Sequence, residues 1–199
     1  MCSSDLSIVG NYFSICVDNN PTLALPVTDG FDYPFGEKSQ YTQRNDGDGW
    51  YNIQDFRRNR HMGEDWNREG GASRDCGEPV LACADGLVIY SAAAHKSWGN
   101  VVIVRHRLPS GEQVETFYAH VQSRGMIPYL SQVKRRQRIA FVGDGADPCG
   151  DSRPYAAHLH FEVHTPKYKM WGNIGHGYDN DANAVGALDP SDFIDAHRK

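Results

Sequence analysis

The chain has no C-x-x-C pair among its five cysteines, Cys2, Cys16, Cys76, Cys83 and Cys149. A zinc ribbon or a thioredoxin-like redox motif is therefore not expected. The count is odd, so at least one thiol has no partner within the chain, and it is compatible with export and one or two disulfides. No apolar run approaches membrane-spanning length. An excess of positive charge is also missing: the net charge is −5 with histidine neutral, which gives nucleic acid no electrostatic footing. Internal repeats and low-complexity tracts are lacking. The opening residues, MCSSDLSIVGNYFSIC, do not place a basic segment before an apolar one, so they do not form a signal peptide. The expectation is that a leader has been removed or that export takes another route, with lipidation of Cys2 as a further reading.

What is present is an ordinary globular composition over 199 residues, 40% apolar and 23% charged, enough for one sizeable core. Residues 1–27 read as an N-terminal extension and 28–199 as the working domain. Residues 28–60 are rich in Gly, Asp, Asn and aromatics, which suits loops and short strands. From Pro79 onward short apolar runs follow one another. PVLACADGLVIYSA predicts a hairpin about Asp85-Gly86. NVVIVRHRL and EQVETFYAHV are β-branched and aromatic runs joined by a PSG turn. QRIAFVGDG and HLHFEVH continue the series. Without a long amphipathic helix among them, these runs predict an antiparallel all-β domain. KMWGNIGHGYDNDANAVGA reads as a Gly/Asn-rich loop, and LDPSDFIDAHRK as a final short helix capped by Asp189 or Ser191.

The histidines carry the chemistry. In a strand, side chains at i and i+2 share a face. His158, His160, Glu162 and His164 therefore lie on one side of AAHLHFEVH, and Leu159, Phe161 and Val163 on the core side. A catalytic zinc takes three protein ligands from imidazole and carboxylate and keeps one position open. His61 and Asp65 of HMGED, with one histidine of the His158/His160 pair, meet that need. Gly63 between the first two argues against a helix there and for a bend or strand edge. Two further histidines, one of them His120 of YAH, would stand near the metal without binding it.

Taken together, HMGED, YAHV and AAHLHFEV resemble the lysostaphin-like zinc endopeptidases that cut bacterial peptidoglycan. The intervening segments are similar too, in order and approximate spacing, over roughly residues 55–195. The resemblance implies an antiparallel β-sheet scaffold with long loops walling a groove, so that 28–199 is a zinc metallopeptidase domain. It implies one zinc held by His61, Asp65 and His160, with His120 and His158 as catalytic histidines. H-E-x-x-H is absent, so histidine must do the work of the glutamate base. The implied partner is a peptidoglycan peptide substrate, met outside the cytoplasm by an exported protein; the composition adds no membrane span and no nucleic acid, and the oligomeric state stays open with a monomer favoured. Two alternatives remain: a non-catalytic relative that binds or regulates wall hydrolases, and an exported zinc peptidase that acts on proteins.

Other features have plainer readings. His95, His106, His164, His176 and His197 are expected to be structural, although His164 shares a face with His160 and Glu162 is placed to orient an imidazole. Glu64 is read as structural. The aromatics of residues 31–51 are expected to pack rather than to bind. The sequence departs from the family pattern at Arg136 and Ala140, where glycines are common, and in the segments 66–78 and 144–157, which read as loops longer and more polar than a tight turn requires. If these two segments border the groove as the resemblance implies, a Cys76–Cys149 disulfide would fix its width. Cys83 then packs as a buried thiol, and Cys2 can pair with Cys16.

Overall fold

A computed structural model describes residues 24–36, 49–70, 74–94, 98–145, 149, 156–166 and 186–199. The expected extension 1–27 falls almost wholly outside the described residues. So do Cys2, Cys16, Tyr41, His95, His176 and most of the Gly/Asn-rich segment at 169–187.

Four consecutive β-branched residues, Val101-Val102-Ile103-Val104, build the centre of strand β5 (Asn100–Arg107). A branched Cβ packs well on a pleated surface and poorly in a helical turn. Val102 and Val104 enter the main core; Val101 and Ile103 join a second apolar cluster with Trp98, Phe117 and Ala119 on the other face. Both faces are covered, which is why the run is continuously apolar rather than alternating. The turn 108–112 folds it onto β6 (Gln113–Val121), with Gly111 N–H donating to the Leu108 carbonyl at 2.9 Å.

The remaining elements are β1 (Trp50–Gln54), β2 (Glu64–Arg68), β3 (Pro79–Leu81), β4 (Gly86–Ala93), β7 (Gln132–Val133), β8 (Arg138–Phe141), β9 (Leu159–His164), β10 (Ala187–Leu188) and α1 (Pro190–His197). Their pairings are antiparallel, in the order β1-β2-β9-β6-β5-β4-β7 with β10 also on β9, and β3 with β8 forming a small second sheet. This is the expected all-β class. No helix among the described residues is long and apolar enough to cross a membrane. Asp189 caps α1 by accepting from Asp192 N–H at 3.2 Å; Ser191 instead donates to Glu64 at 2.8 Å.

The hairpin expected about Asp85-Gly86 does not form. β3 pairs with β8, whereas β4 pairs with β5 and β7. Ala82, Cys83 and Ala84 are all buried, and these small side chains let the chain cross from one sheet to the other. Asp85 serves a different contact: its carboxylate accepts from Lys134 Nζ at 2.8 Å and Arg135 N–H at 2.7 Å. Arg136 occupies a left-handed conformation, φ 68°, which favours glycine. Its guanidinium offsets that cost by donating to the carbonyls of Tyr33 and Phe35 at 3.4 and 3.3 Å, and to that of Gly36.

The segment expected to be a loop from residue 66 is strand as far as Arg68. Trp66 is the reason. Its indole is fully buried against Tyr33 and Phe35, with ring centroids 5.6 and 4.7 Å away, and Phe35 stacks on Trp50 at 4.8 Å. The early aromatics are therefore packing, as expected. They grip the back of β2, and strand alternation turns Asp65 to the opposite face.

Candidate metal centre

β9 lies between β2 and β6. Its His160 is directly opposite Asp65 on one side and Ala119 on the other. His61 precedes β2 on a turn in which its N–H donates to the Arg58 carbonyl at 3.1 Å. That turn runs hard against β9: a Cβ on Gly63 would lie 2.4 Å from the Phe161 carbonyl oxygen. Only glycine lets the backbone approach so closely, and the approach brings His61 to the strand.

Three donor atoms converge as a result. His61 Nε2 is 3.0 Å from His160 Nδ1; Asp65 Oδ1 is 2.8 Å from that same Nδ1 and 3.1 Å from His61 Nε2. Glu162 accepts from His160 Nε2 at 2.8 Å. His160 Nδ1–H donates to Asp65; a cation at this point would displace that proton and leave the other on Nε2, held by Glu162. Two imidazole nitrogens and a carboxylate oxygen thus converge on one point that a cation would satisfy. Burial lowers the His160 pKa, but hydrogen bonds to Asp65 and Glu162 outweigh it and push the value up to about 9. For Asp65, burial is outweighed by His160 and His61, which hold its carboxyl well below the usual carboxylate range. A tetrahedral zinc with bonds of ~2.0–2.1 Å spaces its ligand atoms about 3.3 Å apart. The set therefore fits zinc after outward movements of a few tenths of an ångström. Among the described residues these three form the one His/Cys/Asp/Glu group close enough to share a metal.

The other two expected histidines stand beside this group. His158 immediately precedes β9, its Nε2 3.7 Å from Asp65 Oδ1 and its Nδ1 donating to the Ala156 carbonyl at 2.8 Å. His120, at the end of β6, has its ring centroid 4.6 Å from that of His158 and 5.7 Å from that of His160. Its Nδ1 donates to the Trp98 carbonyl at 3.2 Å. Burial pushes both imidazoles below their usual pKa; neighbouring His158 and His160 add to the effect on His120. The His120 backbone is left-handed, φ 60°, at a cost of about 1–2 kcal/mol for a non-glycine residue. Its N–H donates to the Trp98 carbonyl at 3.0 Å, and its own carbonyl accepts from Gly143 at 2.7 Å.

Several contributors escape a reading of motifs. Trp98 holds His120 and lays its indole 5.0 Å from the His160 ring. Gly143 has no room for a side chain beside the His120 carbonyl. Glu115 lies opposite His164 across β6 and β9; only its place on the same face of β6 as Ala119 could have signalled it. Of the histidines expected to be structural, His106 donates to the Asp85 carbonyl at 2.9 Å and accepts from Thr116 at 2.8 Å. His197 stacks on Phe193 at 4.2 Å. Cys83 is a buried thiol. Cys76 and Cys149 are joined by a disulfide, as expected, beside the Gln122 side chain.

The sequence pattern of peptidase family M23 matches residues 60–171, more than half of the chain. Murein hydrolase activator NlpD of Escherichia coli K12 is 31% identical over 87 residues, which is 44% of this chain and 20% of that protein. The chain thus covers about a fifth of the length of the first curated relatives it matches. The solved LytM protein of Ruminococcus gnavus has the same fold, with a TM-score of 0.51 at 17% identity over 85% of this chain and 62% of that one. The antimicrobial peptidase lysostaphin from Staphylococcus simulans aligns with a TM-score of 0.48 at 19% identity, over 86% and 56% of the two chains.

Proposed function

This chain belongs to peptidase family M23, and from that premise we propose that it is a zinc-dependent endopeptidase cleaving peptide crosslinks or bridges of bacterial peptidoglycan, outside the cytoplasm. The observation that carries this reading is the meeting of His61 Nε2, Asp65 Oδ1 and His160 Nδ1 within 3.1 Å of one another, with two more imidazoles alongside.

His61, Asp65 and His160 hold the metal. Zinc in that position supplies Lewis-acid activation of water and of a peptide carbonyl. The protein's own groups supply the proton traffic. His158 and His120 each tie Nδ1–H to a backbone carbonyl, so each keeps an Nε2 lone pair. One takes the proton released as water adds to the scissile carbonyl. The imidazolium so formed gives it to the leaving amine, and the Nε2 lone pair of the other ring accepts from the second O–H of the attacking water and orients it. Asp65, 3.7 Å from His158, stabilises the transient positive charge.

Incubation of defined muropeptides with the zinc-loaded chain, followed by mass analysis, tests the reading. His120→Ala and His158→Ala should keep zinc and lose about 10²–10⁴-fold in turnover; His160→Ala should lose both metal and activity. Near-wild-type turnover in either of the first two variants contradicts the roles given to them.

A second reading rests on the similarity to the Escherichia coli murein hydrolase activator. In it the chain regulates a wall hydrolase and cuts nothing. The complete donor set speaks for catalysis. Absence of released fragments at full zinc loading, together with stimulation of a wall hydrolase, would favour the activator. Preference for casein over cell walls would instead favour a peptidase that acts on proteins.

A further inference from the structure

The polar groups of β9 do not end at His160. Glu162 is buried, and its two oxygens are divided: Oε1 accepts from His160 Nε2 at 2.8 Å, and Oε2 accepts from His164 Nε2 at 2.9 Å. On its other side His164 Nδ1 stands 3.9 Å from Glu115 Oε2. Glu115 is fully buried, and its second oxygen, Oε1, accepts both Arg105 Nε at 2.9 Å and Arg105 Nη2 at 2.6 Å. Arg105, Glu115 and His164 are register partners across β5, β6 and β9. They form a cross-strand row two steps along the same face from the His160 row, with the Phe117–Glu162 pair between. Phe117 lies between the two levels, its ring centroid 6.1 Å from both His160 and His164.

A buried carboxylate with one imidazole partner can rotate about its terminal bond. With a donor on each oxygen it cannot do so without losing a charge-assisted hydrogen bond in a dry environment. His164 therefore fixes the plane of Glu162, and that plane fixes which His160 nitrogen carries the proton. Glu115 Oε2, 3.9 Å from His164 Nδ1, is beyond hydrogen-bond distance and places a buried carboxylate on the ring's far side. A buried pair of glutamates has no other evident use on this face, since an apolar row would pack at least as well.

We propose that His164 is a positioning residue for the metal centre, acting through Glu162 to present His160 Nδ1 to the ion, with the Arg105–Glu115 pair lying beyond it. This rests on the reading of His61, Asp65 and His160 as zinc ligands. The chain of contacts reaches the surface at Arg105, whose side chain is one-quarter exposed.

The test is competition for zinc between the full chain and a chromogenic chelator. Wild type is compared with His160→Ala, His164→Ala and His164→Gln, in which the amide Nε2 reaches the same oxygen. If zinc affinity survives His160→Ala, the ligand assignment itself fails. If His160→Ala abolishes binding, His164→Ala should bind zinc about 10–100-fold more weakly than wild type, and His164→Gln should recover most of that loss. Unchanged affinity in His164→Ala overturns the proposal, as does an equal loss in both His164 variants, which would reduce the residue to filler. Should His164→Ala not fold, His164→Leu replaces it. In zinc-loaded wild type, nuclear magnetic resonance should resolve slowly exchanging, downfield Nε2–H protons on both His160 and His164; their absence also overturns it.

Discussion

A single missing methyl group lets the His61 turn lie against β9. Gly63 carries no side chain where one would stand 2.4 Å from the Phe161 carbonyl oxygen and 2.7 Å from Glu162 Cγ. The first neighbour is backbone in a central strand and cannot step aside. Gly63→Ala should therefore push the His61 turn off β9. Overpacking of this kind costs typically 1–3 kcal/mol, and the direct clash with backbone puts the expected loss at the upper end, about 3 kcal/mol. Chemical denaturation with chelator present gives the stability loss, and zinc titration of the folded variant should show weakened binding. A variant with wild-type stability and affinity would mean that the turn can relax without cost. His61, Asp65, His158 and His160 were legible in the sequence because each belongs to a short motif whose spacing implies a shared point. Trp98, Gly143 and Glu115 were not, because they become neighbours only through strand pairing, and register is not written into any one local stretch.

Among the elements, the disulfide ties the segment before β3 to the one after β8. Cys76 and Cys149 are 73 residues apart in sequence, and closing a loop of that length is worth about 4 kcal/mol through the unfolded chain. The double replacement Cys76→Ser with Cys149→Ser should lower unfolding free energy by about that amount in denaturant melts, and addition of reductant should then leave the variant unchanged. A loss below about 1 kcal/mol would show that the bridge constrains little. The strands themselves were easy to read, since runs such as 101–104 admit no helical alternative. The hairpin about Asp85-Gly86 misled because a turn dipeptide is a local signal. The buried Ala82-Cys83-Ala84 stretch overrode it by carrying the chain between sheets. Trp66 likewise extended β2 into a segment whose polar composition suggested a loop.

At the scale of the whole molecule, pH acts through a histidine away from the candidate metal centre. His106 is fully buried, and burial pushes its pKa down to about 4. The unfolded chain takes up a proton near pH 6.5 that the folded chain refuses until about pH 4, so stability falls as pH drops through that window. The gap, at about 1.4 kcal/mol per pH unit, limits the effect to about 3 kcal/mol. Melts of wild type and His106→Gln at pH 7 and 4.5, both with chelator, should show the variant losing about 2–3 kcal/mol less than wild type on acidification; equal losses would rule the residue out. The disulfide also matters to how fast the sheet closes. Asp65 and His160 are 95 residues apart along the chain. Cys76 lies 11 residues after the first and Cys149 lies 11 residues before the second, so the bridge cuts the path between them to 22 residues. Loop-closure entropy varies as about (3/2)RT ln n, which makes the encounter of β2 with β9 about tenfold more frequent in the bridged chain. Under the proposed ligand assignment that encounter brings Asp65 to His160, so metal capture would report it. In stopped-flow refolding from denaturant, a zinc-responsive dye would time metal capture by the oxidised chain. The Cys76→Ser, Cys149→Ser chain should capture metal about tenfold later, and identical capture rates would show that β2 and β9 find each other by another route.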